Sequence, residues 1–287
     1  MKWPASQPVP VALCADDFAF APGVDDGILS LAEQGRITAL SCMTASPRWP
    51  KASARLKPLL GKRDIGVHFT LTQLQSLGPM PNLASDGTFP AMRTLYARAL
   101  RRDLDLNEIE AELTRQIDAF VAATGRDPDF LDGHHHVHQL PGVRAVVART
   151  WRARARPGWI RNTATKTQRI LARNVAIART AAIAALGRGA RRAWRKAGLA
   201  TNADFAGVRN FGEQTPFREL MQRYLSAVEP GLLIMCHPGR PDAELARLDS
   251  VTTSRADELA YLSGAQFPAD LAAAGCRLAR LSSMGAR

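Results

Sequence analysis

The chain has 287 residues, 46% of them apolar, and a formal net charge of +12. That apolar share supports a sizeable core, and α/β barrels reach this length as one unit, so residues 1–287 read as a single domain. Residues 1–10 lack the apolar run of a secretory leader, and no window approaches ~20 uninterrupted apolar residues. Neither a signal peptide nor a membrane span is expected, and the expected location is cytoplasmic, at most peripheral at the inner membrane surface. The cysteines Cys14, Cys42, Cys236 and Cys276 are far apart and read as reduced core residues.

Short apolar runs predict strands at 9–15, 39–44, 65–71, 130–132, 159–161, 232–236 and 276–281. Helical spacing predicts helices at 24–33, at 107–124 with Asn107 and Glu110 as an N-cap pair, at 215–228 and at 256–260. A short helix at 268–274 should stop at Gly275. Repeated βα units imply a parallel sheet, either a barrel or doubly wound. No Gly-x-Gly-x-x-Gly follows the first strand and no P-loop is present, which disfavours nucleotide folds.

Residues 162–203 break the βα rhythm and read as a basic helical insertion or lid. Within it, 170–199 reads as one or two amphipathic helices broken at Gly187 and Gly189. No Asp or Glu occurs from Gly133 to Ala203, while basic residues run from Arg152 through Arg156 to Lys196. Three readings compete: a solvated lid, a surface for anionic lipid, and a nucleic-acid surface. Trp194 has little aromatic company there, so nucleic acid is not the expected partner.

The six histidines occupy three places: His68, the cluster of His134, His135, His136 and His138, and His237. Each place ends or follows a strand candidate, and ligands of parallel α/β folds bind at the carboxyl ends of strands. Asp16 and Asp17 follow the first strand in the same way. Two buried carboxylates are costly without a metal or a buried arginine, and one could bind a metal while the other acts as a base. Strand alternation over 132–138 would put Asp132, His134, His136 and His138 on one face, leaving His135 pointing away and dispensable. One Asp and two His from three strands form a metal site with open positions. A metal, a carboxylate base and a histidine acid are the equipment of a metal-dependent amide or ester hydrolase.

Ala15-Asp16-Asp17-Phe18 with Pro22-Gly23-Val24, Gly66-Val67-His68, Leu131 to His138, and Met235-Cys236-His237-Pro238 resemble, in order and spacing, the YdjC-like carbohydrate deacetylases. This family includes chitooligosaccharide and hopanoid-associated deacetylases. The resemblance implies an α/β fold, a distorted (β/α) barrel related to polysaccharide deacetylases, and removal of acetate from an N-acetylated sugar; a lipid-binding basic insertion would suit a lipid-linked sugar. It implies Asp17, His68 and His134 as metal ligands, Asp16 as general base, and His237 as general acid or substrate contact. His136 and His138 would line the pocket, and Arg161 would orient Asp16 or the substrate. The family's ion is magnesium, whereas the Asp-His-His donors also suit zinc, manganese or cobalt. Ala19 stands where the family carries glycine, and the basic insertion is foreign to the pattern. The alternatives are a phosphoesterase or esterase on the same barrel, and a non-catalytic carbohydrate- or membrane-binding protein.

Overall fold

The structure, a computed structural model, describes Pro4 and residues 7–154, 157–210 and 214–284; Arg156 of the basic block and most of the N-terminal opening (1–3, 5 and 6) lie outside the described residues. The strands are β1 (Val9–Phe18), β2 (Ala39–Cys42), β3 (Asp64–Phe69), β4 (Phe130–Gly133), β5 (Trp159–Ile160), β6 (Asp204–Ala206), β7 (Leu232–Cys236) and β8 (Cys276–Leu278). The helices among the described residues are α1 (Pro22–Glu33), α2 (Trp49–Ser53), α3 (Met92–Arg101), α4 (Leu106–Thr124), α5 (Val143–Arg152), α6 (Thr167–Arg173), α7 (Ile177–Lys196), α8 (Phe217–Tyr224), α9 (Ala243–Leu248), α10 (Thr253–Ser263) and α11 (Gln266–Ala273).

All pairings between named strands are parallel, in the order β5-β4-β3-β2-β1-β7-β6. Ile160 of β5 bridges Thr201, just ahead of β6. Asn162 and Asn202 reinforce that seam: the Asn162 N–H donates to Asn202 Oδ1 at 2.7 Å, and each side-chain amide donates to the other's backbone carbonyl at 2.8 Å. The seam joins the two ends of the sheet and makes it a distorted barrel. β8 pairs only with Val9–Val11, whereas β2 takes the later part of β1, Cys14 to Phe18. The apolar strand runs expected from the sequence are all present. The three-residue β6, which has no apolar run, was not expected.

Two expectations about helix ends fail. The N-cap of α4 is Asp105, whose carboxylate accepts from the Asn107 and Glu108 N–H groups, not an Asn107–Glu110 pair. Neither Gly187 nor Gly189 breaks α7. The break between α6 and α7 comes earlier, where Asn174 and Ala176 take φ of 50° and 40°. Gly187 is instead a packing position, since a Cβ there would lie 2.4 Å from the Ala164 nitrogen.

β1 carries the main irregularity. Its register against β2 slips between Ala15 and Phe18, and Asp17 and Ala19 take φ of 72° and 75°. Such left-handed backbone in a non-glycine residue costs of order 1 kcal/mol. The surroundings hold it: Asp25 Oδ1 accepts the Ala19 N–H at 2.6 Å, and the Ser46 hydroxyl donates to the Ala19 carbonyl at 2.6 Å. The bulge sends two successive carboxylates into different surroundings. It also explains why a glycine suits position 19 and why alanine there carries strain.

Candidate active site

Asp16 and Asp17 lie near the end of β1 and His68 near the end of β3; Asp132 lies in β4 with His134 just after it, Arg161 follows β5 and His237 follows β7. Parallel strands bring these ends to one side of the barrel. Register does the finer placement, pairing His68 with Asp132 and Ala15 with Cys236, which sets Asp16 beside His237.

Asp17, His68 and His134 come together, with one ligand atom from each within 4.8 Å of the others. His68 Nε2 lies 3.3 Å and His134 Nδ1 3.1 Å from the same oxygen, Asp17 Oδ1. The far side of each imidazole is anchored. His68 Nδ1 meets Asp132 Oδ1 at 2.6 Å and Ser41 Oγ at 3.0 Å. His134 Nε2 meets Gln73 Oε1 at 2.5 Å. Donation to these oxygen partners leaves a lone pair on each nitrogen facing Asp17, the arrangement that orients metal-bound histidine. One carboxylate oxygen and two imidazole nitrogens fit a divalent ion with open positions.

Arg255 completes this centre and had no signal in the sequence. Its Nη2 contacts Asp17 Oδ2 at 2.6 Å and Asp249 Oδ2 at 3.0 Å. Burial alone would raise the Asp17 carboxyl, but Arg255 and the two imidazoles hold it well below the usual carboxylate range. Burial would likewise lower His68, yet Asp132 and Asp17 raise it to about 10. Without a metal, the site therefore stabilises a protonated His68; a bound cation takes that proton's place.

Asp16 has a different anchor. Arg161 grips it with two bonds of 2.6 Å, Nη1 to Oδ2 and Nη2 to Oδ1, and Arg161 Nη2 also lies 2.6 Å from Asp132 Oδ2. Cys14, Asp16 and Asp132 form a second buried group with metal-like spacing, but the Arg161 guanidinium already bridges its two carboxylates. The pattern therefore favours one ion, not two. Arg161 is 0% exposed, so it reaches the site through the carboxylates and is not placed to touch a substrate.

The histidine cluster departs from the expected strand. β4 stops at Gly133, and residues His134–Gln139 form a tight turn in which His135 and His136 take φ of 51° and 58°. The alternation over 132–138 therefore fails, and each imidazole goes somewhere different. His135 does not point away: its ring lies 3.9 Å from that of His134, and its Nδ1 meets Thr72 Oγ1 at 3.0 Å. His136 packs edge-on against Phe205, ring centres 5.9 Å apart, with Nδ1 lacking a hydrogen-bond partner among the described residues. His138 is fully buried, stacked on Trp194 at 5.7 Å, with Nε2 donating to the Arg161 carbonyl at 2.9 Å. Burial holds His135 and His138 down at about 3, so both are neutral near pH 7. His138 thus braces the Arg161 backbone and does not line a pocket.

His237 is partly exposed at the end of β7. Its N–H donates to the buried Glu258 at 2.6 Å, and Glu258 in turn pairs with Arg209 at 3.3 Å. Desolvation holds the His237 ring down at about 4 against the pull of Asp17 and Asp16.

The YdjC-like protein family matches residues 10–273. The chain belongs to the YdjC-like family. A chitooligosaccharide deacetylase of Proteus mirabilis is 34% identical over 145 residues, 50% of this chain and 55% of the relative. One of Yersinia pestis is 36% identical over 143 residues, 50% and 56% respectively. This YdjC-like chain spans about half the length of those curated relatives. In structure it is similar to a putative cellobiose-phosphate cleavage protein of Enterococcus faecalis, with a TM-score of 0.75 at 22% identity, covering 98% of this chain and 100% of that one. A peptidoglycan N-acetylglucosamine deacetylase gives 0.51 at 13% identity, covering 98% and 89%. These likenesses establish the distorted barrel.

Proposed function

We propose that this YdjC-like protein is a metal-dependent hydrolase that removes acetate from an N-acetylated sugar. The observation that carries the reading is the division of labour at the end of β1. Asp17 meets two anchored imidazoles, while its neighbour Asp16 is held apart by Arg161. The deacetylase names of the relatives support the choice of an acetamido group as substrate.

Asp17, His68 and His134 would hold the ion, which when bound polarises a carbonyl and lowers the pKa of water. Arg161 grips both carboxylate oxygens of Asp16 and orients it to accept the proton of the attacking water. His237 is neutral at rest, so the proton it hands to the departing amine is one acquired during turnover, the proton taken up by Asp16. Arg255 keeps Asp17 in place, and Asp132 keeps His68 in the tautomer whose Nε2 is free. The sugar amine and acetate are the products, with one water consumed.

The test is acetate release from N-acetylglucosamine oligomers by the full chain, before and after EDTA and after restoring zinc, manganese, cobalt or magnesium. Release abolished by EDTA and restored by one of these ions supports the reading. Release that ignores EDTA, or phosphate-ester cleavage without acetate release, would sink it. Running the same assay on lipid-linked acetamido sugars sorts the free from the lipid-linked substrate.

A further inference from the structure

The two faces of α7 differ in kind. Its inner face is built into the barrel rim: Gly187 packs on Thr163 and Ala164, and Trp194 stacks on His138. Its outer face carries Arg188, Arg192, Arg195 and Lys196, all exposed. Their spacing of four, seven and eight residues from Arg188 puts them on one side of the helix. Among the described residues, none of the four pairs with a carboxylate. The chain itself offers them none nearby in sequence, since 133–203 has no acid. A row of like charges on one helix face is self-repelling, and an external anion relieves it.

The apolar part of the surface decides which anion. At the turn from α6 to α7, Leu171 is 59% and Ile177 40% exposed. A soluble polyanion has no use for exposed aliphatic side chains, and the only tryptophan of the segment, Trp194, is buried and unavailable for base stacking. A bilayer interface takes both: aliphatic groups enter the acyl boundary and cations meet the headgroups.

We propose that the outer face of α7 docks on an anionic lipid bilayer, with Leu171 and Ile177 entering the interface and the four cations lying on lipid phosphates. Because the inner face of the same helix braces His138, docking would hold the barrel mouth at the membrane surface. The proposal stands apart from the deacetylase reading, since binding is measured without turnover.

The full chain is sedimented with vesicles of phosphatidylcholine alone and with vesicles of equal parts phosphatidylcholine and phosphatidylglycerol. Binding is expected only to the anionic vesicles and is lost at high salt. Each cation removed should weaken it about five-fold. A protein with Arg188→Ser, Arg192→Ser, Arg195→Ser and Lys196→Ser should lose binding while keeping its circular dichroism and melting temperature. A separate Leu171→Ser, Ile177→Ser protein should bind the same vesicles more weakly. No binding by the unaltered chain, equal binding to neutral vesicles, or full binding by the folded four-site variant overturns the proposal. So does binding to soluble polyphosphate without binding to vesicles.

Discussion

Asp16 and Asp17 are chain neighbours with opposite attachments, and that difference can be measured. Asp16→Asn keeps the side chain's shape but removes its capacity as a base, so turnover should fall by about 10²–10⁴-fold. Calorimetry should find metal affinity nearly unchanged; an equal loss of metal would make Asp16 a ligand instead. Arg255 acts at one remove, through Asp17 Oδ2. Arg255→Met frees that oxygen and should weaken metal binding by about 10–100-fold, the usual effect of losing a ligand's anchor. Unaltered affinity would show that Asp17 needs no arginine. Glu258 tests the support beneath His237. Burial raises its carboxyl from 4.5 to about 7, despite the His237 N–H and Arg209. The native protein thus holds that proton more tightly than the unfolded chain does. The stability this contributes is present below 4.5 and is lost as pH rises through about 7. Glu258→Gln cannot titrate, so its stability relative to the unaltered protein should improve by about 1–3 kcal/mol from about pH 5 to about pH 8. Thermal melts across that range check it, and a flat difference would falsify the assignment. Of these residues, Asp16 and Asp17 were legible because acids after an apolar strand demand a partner. Arg255 and Glu258 were not, because charged residues on a helix read as its solvated side. On α10 they are 2% and 1% exposed and form the inner face.

At the scale of elements, apolar runs predicted strands well because a strand buried on both faces reads as continuous hydrophobicity. They failed for β6, a three-residue strand held by its parallel pairing with Leu232, Leu233 and Ile234 of β7 and not by an apolar run of its own. Four helices passed unnoticed: α2, α3, α5 and α9. The last turn of α5 carries Arg149 and Arg152, and its buried Val146, Val147 and Trp151 were hidden among the basic residues. The histidine turn misled in another way. Period-two reasoning assumes that the strand continues, and positive φ at His135 and His136 ends it. Gly187 supplies a prediction at this scale. In an exposed helix, glycine to alanine gains about 1 kcal/mol. Here the added methyl would meet the Ala164 nitrogen at 2.4 Å and the Thr163 carbonyl carbon at 2.6 Å, both backbone atoms. Gly187→Ala should therefore lower stability, by about 1–3 kcal/mol, despite its better helix propensity. A raised melting temperature would mean that α7 shifts freely over the β5 rim.

At the scale of the whole molecule, the site is a consequence of topology. Parallel strands wound by helices put every carboxyl end on one side, so motifs far apart in sequence converge without any local signal of contact. That much was legible, since each motif followed its strand; the strand order and the closure through Asn162 and Asn202 were not. The candidate metal ligands belong to β1, to β3 and to the turn after β4, so an ion bound there ties together three separated stretches of the barrel. Binding to the native state but not to the unfolded chain stabilises the whole fold, by about 2.7 kcal/mol at a hundred-fold excess over Kd. In a chain of this size that is a rise of several degrees in melting temperature. The donor set orders the ions. Imidazole nitrogen favours zinc and cobalt over magnesium at equal concentration, so the zinc-induced shift should be the larger. Asp16→Asn should shift with zinc as the unaltered chain does, because Asp16 is tied to Arg161. A His68→Ala, His134→Ala protein should not shift. If that double variant gains as many degrees from zinc as the unaltered chain, the ion binds elsewhere and the Asp17 centre is not its site.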